Sequence, residues 1–187
     1  MALTNIDGRT FLVGSGELYI GATPLEDSAT IETIEASVVN IGHITAGASV
    51  TYKPTYVDVK GGNRLGTFMR FLTDEEVTFK TGIITWNQDN IAILAPATSD
   101  IDVASSSKSM KIGGDRTTLN VNVLLFVHEK ADGKKLKVLI RKAQSTNGFA
   151  LAFDNKEMTI DAEFTALSCT DGNLLEVIEE KELADLL

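Results

Sequence analysis

Two runs decide the fold: Ala48-Ser-Val-Thr-Tyr-Lys53 and Val77-Thr-Phe-Lys-Thr-Gly-Ile83. In the first, Ala48, Val50 and Tyr52 alternate with Ser49, Thr51 and Lys53. In the second, Val77, Phe79, Thr81 and Ile83 alternate with Thr78, Lys80 and Gly82. A period of two puts one set of side chains on each face of a strand, so each run reads as a strand with one buried face. Pro54 and three glycines lie between them, at Gly61, Gly62 and Gly66. Those residues interrupt strand ladders, so residues 53–74 are expected to form a long inter-strand loop rather than a tight hairpin. The same segment holds Tyr56, Val57, Val59, Leu65, Phe68, Met69, Phe71 and Leu72. A loop that only connects is short and polar. Apolar side chains on a long loop need a cover, and another chain can supply it.

Outward from this centre, further strands are expected. Thr10 to Val13, Glu17 to Gly21 and Val38 to Ile44 precede it, with Gly14-Ser-Gly16 as a turn. That turn lacks the third glycine and the acidic partner of a dinucleotide fingerprint. Ala22 to Ser37 reads as loop, with a short helix from Thr30 as the alternative. After Trp86, Asn87 can cap a helix whose apolar face is Ile91, Leu94 and Ala95, and Pro96 ends it. Two turns of helix are stable only when docked. Residues 97–109, rich in Ser, Ala and Asp, read as an exposed loop. In the C-terminal half, Val121, Val123, Leu125 and Val127 share one strand face, and Leu124 and Phe126 make the other apolar too. Asp132-Gly133 turns the chain into the return strand Leu136, Val138 and Ile140. Gly148 to Phe153, Met158 to Leu167 and Leu174 to Ile178 complete the strand set, and Glu179 to Leu187 is a helix or a frayed end. Many strands and one short helix predict a mainly β, sandwich- or barrel-like fold, one domain over residues 1–187, with one short flanking α-helix.

Composition narrows the function classes. The net charge is −9. Tight DNA binding rests on neutralising phosphates, which an acidic protein does poorly. The charge is also segregated: residues 108–142 sum to +6 and residues 143–187 to −8. A solvated basic face is the plain reading. Head-to-tail association of a basic patch with the acidic patch of the next copy is the sharper one. No apolar run is long enough to span a bilayer, and the first residues lack the basic and apolar regions of a secretory signal. The single cysteine, Cys169, precludes an internal disulfide, fits folding in a cytoplasm and reads as a quiet buried thiol.

Little in the sequence points to chemistry. With His43, His128 and Cys169, a zinc site has too few of its usual ligands. Gly61-Gly-Asn-Arg-Leu-Gly66 lacks the Gly-Lys-Ser/Thr of a phosphate loop. Asp100-Ile-Asp102 is too sparse for a calcium loop. Asp161 and Glu163 share a strand face, where a solvated polar surface outranks acid–base catalysis. No cofactor and no metal are expected.

From about Gly42 onward the chain resembles the tail tube (major tail) proteins of long-tailed bacteriophages. The residues that carry the likeness are the strand pair with its long insert, Ile44 to Trp86, and the short helix Asp89-Asn-Ile-Ala-Ile-Leu94. They continue with Val121-Asn-Val-Leu-Leu-Phe-Val127 and Lys137-Val-Leu-Ile-Arg-Lys-Ala143, and end with Met158-Thr-Ile-Asp-Ala-Glu-Phe-Thr-Ala-Leu167 and Asp171-Gly-Asn-Leu-Leu175. The resemblance implies a structural protein without catalysis, in the tail of a virion and assembled in the host cytoplasm. Copies would join edge to edge into hexameric rings, and the rings would stack into a hollow tube. DNA would pass through the lumen without specific binding. Tape-measure and tail terminator proteins would be partners, and no membrane would be involved. Contractile-tail and type VI secretion tubes are related. On this reading Tyr56, Val57, Val59, Leu65, Phe68, Met69, Phe71 and Leu72 reach a neighbouring subunit. Asp58, Asp161 and Glu163 are candidates for an acidic lumen that repels phosphates. Two other classes stay open: a β-sandwich module that binds carbohydrate or protein, and a hydrolase using His43 or His128.

Overall fold

A computed structural model describes residues 16–22, 26–44, 47–60, 66–85, 87–114, 119–151 and 159–181. Strands β3 (Ser49–Lys60) and β4 (Thr67–Ile83) pair antiparallel along nearly their whole length. On its other side β4 pairs with β9 (Ile160–Ala166), but only from Thr78 to Ile83. The sheet continues through β8 (Lys135–Ser145), β7 (Asn122–Glu129) and β1 (Glu17–Gly21) to the two-residue β2 (Val39–Asn40). The spatial order is therefore β2-β1-β7-β8-β9-β4-β3. Strand β8 serves two neighbours on one side. Ala143 to Ser145 pair with β9, and Leu136 to Leu139 pair with β10 (Glu176–Glu179).

This sheet rolls around its own core. Leu18, Ile20, Leu124 and Ile140 from the β1-β7-β8 side form one buried cluster with Val77, Phe79, Ile160 and Phe164 from β4 and β9. Phe79 of β4 and Phe126 of β7 meet with ring centroids 5.7 Å apart, although two strands separate them in the sheet. The apolar alternation at Val77–Ile83 and at Ile160–Ala166 supplies one wall. Strand β7 is apolar on both faces because it is covered on both. Its outward Val123 and Leu125 lie with Leu139 under Ile34 of helix α1 (Ile31–Ser37).

Helix α2 (Gln88–Leu94) starts where expected: the Asn87 side chain accepts from the Asp89 N–H at 3.0 Å. Ile91 and Leu94 enter the core, and the buried Asn90 amide donates to the Ile41 carbonyl at 2.9 Å.

Mainly β architecture is as expected, and four local expectations are corrected. The 53–74 segment is not a loop. It is the continuation of β3 and β4, with only residues 61–65 between them outside the described residues. Pro54 is compatible with this because β3 is an edge strand, where a missing N–H breaks no ladder. Residues 22–37 hold α1, so two helices flank the sheet among the described residues rather than one. Residues 97–109 are exposed but not irregular: β5 (Ala97–Asp102) and β6 (Ser107–Ile112) form a hairpin. Its turn is built by Asp102, whose carboxylate accepts from the Ala104 N–H at 3.0 Å and the Ser105 hydroxyl at 2.6 Å. Gly148 to Leu151 form no strand, while Thr10 to Val13 and 182–187 lie outside the described residues.

The core and the ribbon should respond oppositely to truncation. Phe164→Ala removes a fully buried ring and is expected to cost about 3–5 kcal/mol. Phe71→Ala, on the exposed part of β4, should change stability by no more than about 0.5 kcal/mol. Urea unfolding of the two variants checks this contrast.

Candidate functional site

The most unusual surface is the outer half of the β3–β4 pair. Below it, Val77, Phe79 and Ile83 are buried against β9 and the core. From Glu76 outward β4 pairs only with β3 among the described residues, so the two strands leave the sheet as a ribbon whose base, at Leu72 to Glu75, lies beside Ser168, Gly172 and Leu174. Tyr56, Val57, Val59, Phe68, Met69, Phe71 and Leu72 are 42% to 66% exposed on it. Leu65 lies outside the described residues. Seven large apolar side chains on one two-stranded arm are a surface that soluble monomers rarely leave bare.

Two irregularities shape the arm. Thr55 pairs with Asp74 and Tyr56 with Leu72, so Thr73 has no cross-strand partner; Phe68 is likewise left out between Met69 and Thr67. Asp58 pairs with Arg70, whose guanidinium sits 2.7 Å from the carboxylate and 5.5 Å from the centre of the Tyr56 ring. The hydrogen bond from Arg70 holds the Asp58 carboxyl below its usual range.

The three carboxylates proposed to line a lumen do not form one set. Asp161 and Glu163 project from the polar face of β9 into a shallow cavity of about 390 Å³ with Ser49, Lys80 and Asn147. Glu163 is neutralised there by Lys80 at 2.9 Å. Asp58 lies far along the ribbon. Strand parity puts it on the face that continues the core side, opposite the one that carries Lys80. Sequence spacing could not show this, because Asp58 and Asp161 belong to different strands.

The segregated charges also find partners that sequence reasoning missed. Lys130 meets Glu179 at 3.0 Å, Lys137 meets Glu180 at 3.1 Å and Glu35 at 2.9 Å, and Arg141 meets Glu176 at 3.0 Å. The basic run and the acidic tail thus pair within one chain, across β8 and β10. This corrects the head-to-tail charge reading, since much of the attraction is already used internally. The signal was present as Glu176, Glu179 and Glu180 following a lysine-rich strand, but nothing in the sequence specified that the two segments pair.

Among candidate catalytic groups, His43 is exposed and His128 is buried in β7. Cys169 is buried, and desolvation pushes its thiol up, away from the reactive thiolate, as expected for a quiet cysteine. Its neighbours Asp27 and Asp171 lie close enough that the three ligand atoms fall within 4.8 Å of one another. Asp27 accepts from the Thr170 N–H at 2.7 Å through Oδ2, while its Oδ1 is buried without a hydrogen-bond partner. No helix among the described residues is long and apolar enough to cross a membrane.

With this geometry in hand, comparison with solved structures finds likenesses, of which one is described. The chain is similar to a chain of the anti-feeding prophage baseplate, solved by cryo-electron microscopy with six-fold symmetrisation. The identity is 8%, the coverage 95% of this chain and 97% of that one, and the TM-score 0.46. An overlap that loose transfers no role. No protein-family model matches the sequence, and no curated protein does.

The ion pairs across β8 and β10 give a pH dependence with a definite sign. Lys130 and Lys181 lower the Glu179 carboxyl below the usual glutamate value of 4.5, and Lys137 lowers that of Glu180. A carboxyl depressed in the folded state contributes stability that is fully present above its unfolded value and lost as pH falls through the folded one. The attachment of β10 should therefore hold at pH 7 and weaken as pH drops below about 4.5. Hydrogen exchange at the amides of Glu176 to Glu179 is expected to accelerate on acidification relative to Leu139 and Ile140. This comparison is made after correction for intrinsic exchange rates.

Proposed function

We propose that this chain is the structural subunit of a phage-type tail tube. Copies join edge to edge into six-membered rings, and the rings stack into a hollow conduit through which DNA passes during ejection. Its residence is the virion tail, assembled in the host cytoplasm. Tape-measure and terminator proteins set and close the tube, and the chain carries no catalysis.

One observation carries the reading: the exposed apolar ribbon formed by the outer halves of β3 and β4. An isolated two-stranded ribbon is marginal in water, and an apolar one invites association. In an assembly it becomes buried contact instead. Among the described residues the sheet is also open at β3 and at β2. Such edges are a hazard for a monomer and a joint for a ring. The polar face with Lys80, Asp161 and Glu163 suits a wall facing water. The residue patterns from Gly42 onward, which resemble tail tube proteins, agree with this role.

A binding module is the rival from another class, favoured by the groove of about 420 Å³ beside α1, which is lined by Tyr19, Glu35, Leu125 and Lys137. The two readings part on self-association. Negative-stain electron microscopy of the purified chain, from dilute to concentrated, should show rings or uniform tubes. Deleting residues 57–69 shortens the ribbon to a turn near the Tyr56 and Leu72 pair. It should leave the thermal unfolding of the core unchanged and abolish tubes. Normal tubes from the deletion would refute the ribbon's role, and particles that stay monomeric throughout would favour the binding module.

A further inference from the structure

The two faces of the ribbon differ, and one unpaired residue makes them differ. On one face beyond Thr73, Val57 pairs with Phe71 and Val59 with Met69. On the other, Tyr56 pairs with Leu72 and Asp58 with Arg70. The first face is purely apolar. The second holds the ion pair and the guanidinium over the Tyr56 ring. If the register at the base ran on unbroken, Asp58 would sit opposite Phe71 and Val59 opposite Arg70. Each face would then mix charge with apolar side chains, and the ion pair would lose its directly opposed position. The bulge at Thr73 prevents this. Its hydroxyl donates to the Thr55 carbonyl at 3.1 Å, which anchors the irregularity.

We propose that the Val57–Val59–Met69–Phe71 face is the docking face of the ribbon, that the Thr73 bulge exists to assemble it, and that its occupant is a second copy of this chain. The inference rests on the tube-subunit reading and names the surface that the reading needs. Area argues for a repeated copy rather than a lone partner. Four side chains, each about half exposed, present on the order of 350 Å², less than half of the roughly 800 Å² per partner in a standard stable interface. One such contact does not hold a pair together. It suffices when every copy both donates and receives, because the contacts then add around a closed assembly. At the other end of the sheet, edge strand β2 has no neighbour beyond β1 among the described residues, and its Val39 is 71% exposed. The ribbon at one end and this exposed apolar edge at the other allow a head-to-tail contact.

The test compares self-association of full-length variants by sedimentation velocity and electron microscopy over a concentration series. Val57→Lys with Phe71→Lys charges the docking face, and Tyr56→Lys with Leu72→Lys charges the other. A third variant inserts one Thr between Thr55 and Tyr56, opposite Thr73. This restores one-to-one pairing and exchanges the faces of the tip. The wild type should assemble. The Val57/Phe71 and insertion variants should need at least about tenfold higher concentration, and the Tyr56/Leu72 variant should stay within about twofold of wild type. All should keep the circular dichroism of the core. Normal assembly of the Val57/Phe71 variant, or equal or reversed losses in the two charged variants, overturns the face assignment and leaves the tube reading standing. A wild type that stays monomeric overturns both.

Discussion

Strand β4 lives in two environments along one ladder of backbone hydrogen bonds. From Val77 to Ile83 it is wedged between β3 and β9, and its odd-numbered side chains are buried in the core. From Glu76 back to Thr67 it pairs with β3 alone among the described residues. The inner half fixes the direction and twist of the outer half, because a paired strand cannot turn without breaking its ladder. The apolar arm is therefore a continuation of the core sheet's ladder rather than an irregular insert. Paired strands have less conformational entropy left to lose on binding than a loop that must first be ordered.

The charges illustrate a second economy. A chain with net charge −9 and a strongly basic central segment looks polarised for contact with others. Instead, Lys130, Lys137 and Arg141, each with little exposed side chain, take their carboxylates from β10 and α1. Removing one partner would leave a poorly hydrated cation, which is why such pairs hold a short terminal strand in place even when their net contribution is small. Exposed apolar groups are found on the ribbon and at the tip of the β5–β6 hairpin, where Val103 is 84% exposed.

Much of the fold was legible. The alternations at Val77–Ile83 and Ile160–Ala166, the Asp132-Gly133 turn and the Asn87 cap all appear where the pattern put them, because each is decided by neighbours within a few residues. The apolar residues between Tyr56 and Leu72 were also recognised as exposed. Their conformation was misread, because Pro54 and the glycines were weighed as loop signals. An edge strand tolerates Pro, and whether a strand is at an edge depends on residues far away. The Ser- and Asp-rich β5–β6 hairpin escaped for a related reason: its strands have no buried face to impose a period.

Local sequence sets which segments alternate, where the turns and the α2 cap fall, and which residues are apolar without an evident place in the core. These are properties of a local stretch of chain and the water around it. Strand order settles that β3 is an edge, that β8 divides its pairing between β9 and β10, and that basic and acidic side chains from distant segments meet. Register settles that Thr73 bulges, so that Phe71 and Met69 share a face with Val57 and Val59. Each of these depends on strand order and register. A register is set by the sum of many cross-strand contacts, and a shift of one residue exchanges the faces without changing a letter of the sequence.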